Sequence, residues 1–203
     1  MKDIYLIIKR FFDIIFSTVA LIILFPFLLI VALLVKVSSP GKILYIHRRI
    51  GKDGKIIKVL KFRTMNSNQE PLEEVLTKEQ LEEYKTYYKV NNDPRVTKLG
   101  RILRKTSIDE LPQLINIIKG DMSIVGPRPI IFDELKLYKE NKNILLSVRP
   151  GLTGYWASHG RSDTSYEERI KMELYYVNNI SFMLDIKIIL LTIKNVIMGI
   201  GAK

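Results

Sequence analysis

An α+β fold behind an N-terminal membrane element is the architecture this chain of 203 residues predicts. Three observations lead there. Ile14–Val35 is an apolar run without one charged side chain, an Asp-Gly turn joins two short apolar-rich runs, and beyond residue 97 the apolar spacing is mostly helical. The length suits one ordinary core plus an appendage. We therefore divide the chain into a membrane hairpin, residues 1–41, and a second unit, residues 42–203.

The apolar run has 22 residues. As a straight helix it would be about 33 Å long, enough for a bilayer core of roughly 30 Å. No small-x-small site follows it, which argues against a cleaved signal peptide. Pro26 lies just past its midpoint, where it removes one backbone hydrogen bond and frees the Ile22 carbonyl. Basic residues flank both ends: Lys2, Lys9 and Arg10 before, then Lys36, Lys42, Arg48, Arg49 and Lys52 after. A spanning helix concentrates lysine and arginine on one side. A re-entrant helix–break–helix that enters and leaves by one face is thus expected ahead of a kinked span, the alternative that transmembrane prolines allow.

Ser38-Ser39-Pro40-Gly41 ends this element. Ile43–Ile50 and Ile56–Phe62, joined at Lys52-Asp53-Gly54, predict a β-hairpin. Ser67–Asn92 is polar and charged, and reads as a surface helix or excursion without chemistry. Leu99–Leu103 and Ile108–Ile118 read as helices, the second stopped near Gly120. In Pro127-Arg128-Pro129 two rigid residues hold the arginine in extended backbone. Arg149–Gly154 is turn-rich, and Tyr155-Trp156 after it suits a membrane interface or a core equally. Tyr166–Asn178 and Leu184–Ile197 close the chain as helices. The last carries Ile186, Ile189, Leu190, Ile193, Val196 and Ile197 on one face, for the core or for lipid.

A net charge of +11 and a pI near 9.7 call for an anionic partner: nucleic acid, an acidic membrane or a phosphorylated small molecule. Cysteine is absent and histidine is limited to His47 and His159, which excludes thiol catalysis and argues against histidine-rich metal sites and Ser-His-Asp triads. There is no phosphate-binding loop, no G-x-G-x-x-G and no Asp-x-Asp. The basic patches lack interleaved aromatics, so no nucleic-acid partner is expected.

The chemistry concentrates in Arg101–Pro129. Asp109 and Glu110 stand among Arg101, Arg104, Lys105, Lys119 and Arg128. Arginine grips phosphate oxygens bidentately, and a carboxylate beside it can hold a metal or attack phosphorus. Ser107-Ile108-Asp109-Glu110 equally fits a helix capping box, and the two roles are compatible.

A series of motifs in fixed order extends this reading: Lys61-Phe62-Arg63-Thr64-Met65, Asp109-Glu110-Leu111-Pro112-Gln113, Gly120-Asp121-Met122-Ser123, Gly126-Pro127-Arg128-Pro129 and Arg149-Pro150-Gly151-Leu152-Thr153-Gly154. With the basic N-terminus and the proline-broken apolar run, they make the chain resemble the bacterial monotopic phosphoglycosyl transferases in their minimal catalytic-core form. The resemblance implies transfer of a sugar 1-phosphate from a UDP-sugar to polyprenol phosphate, with release of UMP, at the cytoplasmic face of the inner membrane. It implies Asp109 as the nucleophile of a covalent phosphosugar intermediate and Glu110 as its partner, both at Mg²⁺. Arg128, Arg161 and Arg104 are implied as phosphate-binding residues, and Lys61 and Arg63 as contributors to the donor or headgroup site. Residues 42–203 become the catalytic domain, with amphipathic helices at the interface. Two departures stand out. Phe25-Pro26 replaces the frequent Ser-Pro at the helix break, and Trp156-Ala157 replaces the frequent Trp-Gln.

Overall fold

The computed structural model describes residues 2–66, 71–87, 90, 92–160 and 164–199. It is an α+β fold. A long helix α1 (Lys2–Ser38) leads to a hairpin of β1 (Leu44–Ile50) and β2 (Ile56–Phe62). There follow α2 (Leu72–Val75), α3 (Lys78–Tyr87), α4 (Lys98–Lys105), α5 (Gln113–Lys119), β3 (Ser123–Val125), α6 (Phe132–Leu137) and α7 (Lys142–Leu146). Then come β4 (Gly151–Thr153), α8 (Tyr155–His159), α9 (Tyr166–Asn178) and α10 (Phe182–Met198). The hairpin register runs from Leu44 opposite Phe62 to Ile50 opposite Ile56. Asp53 and Gly54 turn it with φ of 56° and 76°, the left-handed backbone an Asp-Gly pair tolerates. A second sheet pairs β3 with β4 in parallel, so close that a Cβ on Gly151 would stand 2.1 Å from the Gly126 nitrogen.

Helix α1 continues without interruption through Pro26, so the expected helix–break–helix is not a break in secondary structure. Proline removes one ladder bond, and packing on both sides of it holds the remaining turns in place. Asp13 and Ser17, then Ala20, Leu21 and Leu24, then Leu28, Val31 and Val35 form one stripe against the rest of the protein. Polar ties anchor its first half. Tyr5 and Lys9 donate to Asp185 on α10, Arg10 donates to the Ile117 and Ile118 carbonyls at the end of α5, and Asp13 accepts the Ile124 N–H. The opposite face exposes Ile4, Ile7, Phe11, Ile15, Ile22, Leu29, Leu33 and other large apolar side chains. By length and composition α1 is the one helix among the described residues fit to cross a membrane.

The segment read as one helix over Ile108–Ile118 is two elements: a 3₁₀ turn, Ile108–Glu110, then α5. Leu111-Pro112 separates them, since proline starts a helix more readily than it continues one. Gly120, at φ 95°, ends α5 where expected. The polar excursion holds α2 and α3 and is pinned at its base by a Met65–Val96 bridge and an Asn66 N–H to Arg95 bond. Helix α10 buries Asp185 and Ile188, while Met183, Ile186, Leu190, Ile193 and Ile197 run outward. Of the two fates open to the terminal stripe, the fold therefore leaves most of it facing away from the core.

Candidate active site

Asp109 is placed by a chain of backbone constraints. Thr97 caps α4 by accepting the Gly100 N–H, and Gly100 presses on β2's extension, where a Cβ would stand 2.0 Å from the Thr64 carbonyl oxygen. This approach lets Arg104 Nε donate to Thr64 Oγ1 at 2.9 Å. After α4, Ser107 adopts left-handed backbone at φ 57°. Its side chain makes no cap bond, so the expected capping box does not form; the Ser107 carbonyl instead accepts the Glu110 N–H and closes the tight turn. Ile108 and Leu111 anchor that turn in an apolar cluster with Leu28, Val31 and Val35 of α1, Phe62 and Leu103. The carboxylate pair is thereby seated beside the second half of the apolar helix.

Asp109 is 7% exposed, and among the described residues no side chain hydrogen-bonds it. Burial, and next the neighbouring Glu110 charge, push its carboxyl up to about 6, against the opposing pull of Lys61 and Arg104. Glu110 accepts from Lys61 Nζ at 2.5 Å, which links the turn to β2. Strand β2 is itself tied to α5 by Asn116, a buried residue absent from the sequence reading. Its Oδ1 accepts the Leu60 N–H, and its Nδ2 donates to the Lys58 carbonyl and to Asp121. One amide side chain thus supplies both bonds a neighbouring strand would give.

Arg128 belongs to an adjoining cluster. Its guanidinium is 5.6 Å from the Trp156 ring centroid, and Arg169 stands 4.8 Å from the same ring. Glu134 receives Arg169 at 3.1 Å and Arg49 at 3.2 Å. Burial alone would raise the Glu134 carboxyl, yet Arg169, the Ile131 N–H, Arg128 and Arg49 hold it below the usual range. Glu173 is fully buried and accepts the Arg128 backbone N–H at 3.1 Å. His47 joins the two clusters. Burial lowers its imidazole to about 4, helped by Arg49, Lys61 and Arg128 together, so it is neutral at pH 7 between the two groups of cations.

The structure therefore gathers Asp109, Glu110, Lys61 and Arg104, and places Arg128 in the neighbouring group. It does not bring Arg63 to them. The Arg63 guanidinium is buried and donates to the Val35 and Ser39 carbonyls, capping the end of α1 where carbonyls lack helical partners. Arg161 lies outside the described residues. Glu134, Arg169 and Glu173 escaped the sequence reading. Their one local signal was the i, i+4 spacing of Arg169 and Glu173 on a helix.

Mg²⁺ is implied by the resemblance. Among the described residues no cluster of three or more acidic, histidine or cysteine ligands occurs, which excludes an all-protein cage there. Two adjacent carboxylates, one buried and only partly offset by nearby cations, do suit an ion that keeps waters and takes its other ligands from phosphates.

Comparison with known proteins places the chain in a family. The bacterial sugar transferase family matches residues 4–199. The chain is 48% identical over 197 residues to the exopolysaccharide production protein ExoY of Sinorhizobium fredii, covering 96% of this chain and 87% of that protein. It is 44% identical over 199 residues to an undecaprenyl-phosphate galactose phosphotransferase of Salmonella typhimurium, covering 96% of this chain and 41% of that protein. A UDP-N-acetylgalactosamine-undecaprenyl-phosphate N-acetylgalactosaminephosphotransferase of Aeromonas hydrophila is 36% identical over 212 residues, with 100% and 46% covered. The fold and the family define a transferase. The chain belongs to the bacterial sugar transferase family.

Proposed function

We propose that this protein moves a sugar 1-phosphate from a UDP-sugar to polyprenol phosphate, on the cytoplasmic face of the inner membrane, as the first membrane step of glycan assembly. The observation that carries the reading is Asp109 itself: a buried carboxylate, only partly offset by Lys61 and Arg104 and seated beside an apolar helix. Relatives named for galactose and N-acetylgalactosamine phosphotransfer to undecaprenyl phosphate support the substrate classes.

In the proposed reaction an Asp109 oxygen attacks the sugar-bearing phosphorus of the UDP-sugar. A carboxylate–phosphorus bond forms, the diphosphate bridge breaks, and the bridging oxygen leaves with UMP. The acceptor's phosphate oxygen then attacks the same phosphorus and regenerates the free carboxylate, which splits one difficult transfer into two. Lys61 and Arg104 offset negative charge where two anions must meet, and Arg128 grips donor phosphate. Asp109 and Glu110 would hold Mg²⁺, which when bound neutralises phosphate oxygens.

For α1 we propose monotopic insertion. Both its halves pack on the same protein body, through Tyr5, Lys9, Arg10 and Asp13 at one end and Leu28, Val31 and Val35 at the other. A helix fastened along its length cannot carry its two ends to opposite faces of a bilayer without the body. Its outward apolar face, with that of α10, meets lipid from one side.

The test uses the full chain in nanodiscs with undecaprenyl phosphate and a panel of UDP-sugars. UMP release that requires Mg²⁺ and is lost in Asp109→Asn supports the proposal. Near-normal release by that variant overturns the covalent role. No release from any UDP-sugar favours a non-catalytic membrane-surface scaffold.

A further inference from the structure

The backbone of the Pro127-Arg128-Pro129 run is pinned from three directions. The Pro127 carbonyl accepts the Gly151 N–H at 2.8 Å, beside β4. One residue beyond the run, the Ile130 carbonyl accepts the Ile50 N–H of β1 at 2.8 Å. The third pin is different in kind, because prolines have no N–H and Arg128 supplies the only backbone donor of the run. That donor goes to a side chain, Glu173 Oε1 of α9. Arg128 itself is exposed, with its guanidinium on Trp156, while Glu173 is 1% exposed.

Burying a carboxyl group is costly unless its bonds repay it. Glu173 Oε2 has no hydrogen-bond partner among the described residues, so only Oε1 is satisfied. An apolar residue there would pack without that penalty and would leave the Arg128 N–H unmet. Arg169, one turn earlier on α9, gives its hydrogen bond to Glu134 and shares only charge with Glu173, whose hydrogen bond goes to the Arg128 amide. What Glu173 does that no other residue here does is hold the Arg128 amide.

We infer that Glu173 is a positioning residue: by binding the single amide of Pro127-Arg128-Pro129 it aims the Arg128 guanidinium past Trp156 at the phosphates of the nucleotide donor. This rests on Arg128 gripping donor phosphate, as proposed above, and adds the residue that directs it. Glu173 touches no substrate; its effect passes through Arg128.

The chain has one tryptophan, so Trp156 emission reports on this stack directly. The experiment titrates UMP and UDP-galactose into the full chain in nanodiscs, following Trp156 fluorescence, together with rates of UMP release from UDP-galactose. The proteins are wild type, Glu173→Gln, Glu173→Met, Glu173→Asp, Arg128→Ala and the Glu173→Met/Arg128→Ala double variant. Glutamine keeps an acceptor oxygen in place, methionine removes it, and aspartate keeps the carboxylate but shortens its reach.

Glu173→Gln should bind UMP within about twofold of wild type, whereas Glu173→Met and Arg128→Ala should each weaken it about tenfold, and the double variant no more than Arg128→Ala alone. KM for the donor should rise more than kcat falls. If Glu173→Met does not fold, Glu173→Asp carries the same expectation. Wild-type binding in the folded Met or Asp variant overturns the assignment. So does a double variant weakened by the full product of the two single effects. An Arg128→Ala variant that binds like wild type overturns it by removing the grip it serves. If wild type neither binds UMP nor releases it, the transferase reading has failed. The anchor is then still read without nucleotide, because Trp156 emission and acrylamide quenching must change in Glu173→Met as in Arg128→Ala, and not in Glu173→Gln.

Discussion

Two charged regions lie side by side on the hairpin and balance their charges in opposite ways. Around Asp109, two carboxylates face Lys61 and Arg104, yet the buried one has no side-chain hydrogen bond among the described residues and is pushed up to about 6. Around Glu134, one carboxylate is held by two guanidiniums and a backbone N–H, and its carboxyl stays below the usual range. The first region leaves charge unsatisfied beside an apolar helix, which costs stability and suits reactivity. The second satisfies the Glu134 charge, leaves one oxygen of the buried Glu173 unbonded, and presents one exposed arginine.

That contrast breaks if the two regions respond alike to substitution. The largest expected effect is Asp109→Asn, which should lower UMP release at least about 10³-fold, measured by single-turnover assay, while membrane association and the unfolding midpoint hold or rise. Conversely, Glu134→Leu should leave Arg49 and Arg169 buried without their shared partner and cost about 3–5 kcal/mol in a denaturant titration. Loss of activity in that variant should track the unfolded fraction. Lys61→Met should fall between them, cutting turnover about 10²-fold as one electrostatic donor is lost. Its stability should change by less than about 1 kcal/mol, since the Lys61–Glu110 pair is partly exposed.

The smallest effect sharpens the contrast within the second region. Burial raises the Glu173 carboxyl from 4.5 to about 7, against the pull of Arg169 and Arg128 and with Glu134 adding to the rise. The folded state therefore holds a proton that the unfolded state gives up, and the contribution of Glu173 to stability falls as pH rises from about 4.5 to 7. Glu173→Gln should remove that decline, so the difference in melting temperature between variant and wild type should grow across this interval.

Topology offers a separate check. The chain has no native cysteine, so single cysteines at positions 2 and 52 can be labelled cleanly. Reaction of both from one side of sealed vesicles supports the monotopic reading of α1, and opposite sides mean a span.

Much of this was legible in the sequence because it is local. The Asp-Gly hairpin turn, the Gly120 stop and the full extent of α9 follow from backbone preferences of a few adjacent residues. Local patterns also misled. Ser107-x-x-Glu110 has the spacing of a cap, but left-handed backbone at Ser107 aims its hydroxyl elsewhere. Pro26 marked a break, but side chains from distant elements support the helix on both sides of it.

By itself the sequence determined the apolar helix, the hairpin, the order of motifs and hence the family, and it singled out Asp109 and Glu110 as candidates. Each of these depends on residue type and near-neighbour spacing. Only the tertiary structure decided which cations stand near them. Arg63 and Arg104 are both arginines close to recognisable motifs, yet one caps α1 and the other bonds Thr64, close enough for its charge to act on Asp109. It also decided that Asn116 would stand in for a strand and that Glu173 would hold the Arg128 amide. The reason is physical: a buried polar group takes whatever partner folding brings within about 3 Å, and those partners lie tens of residues away along the chain.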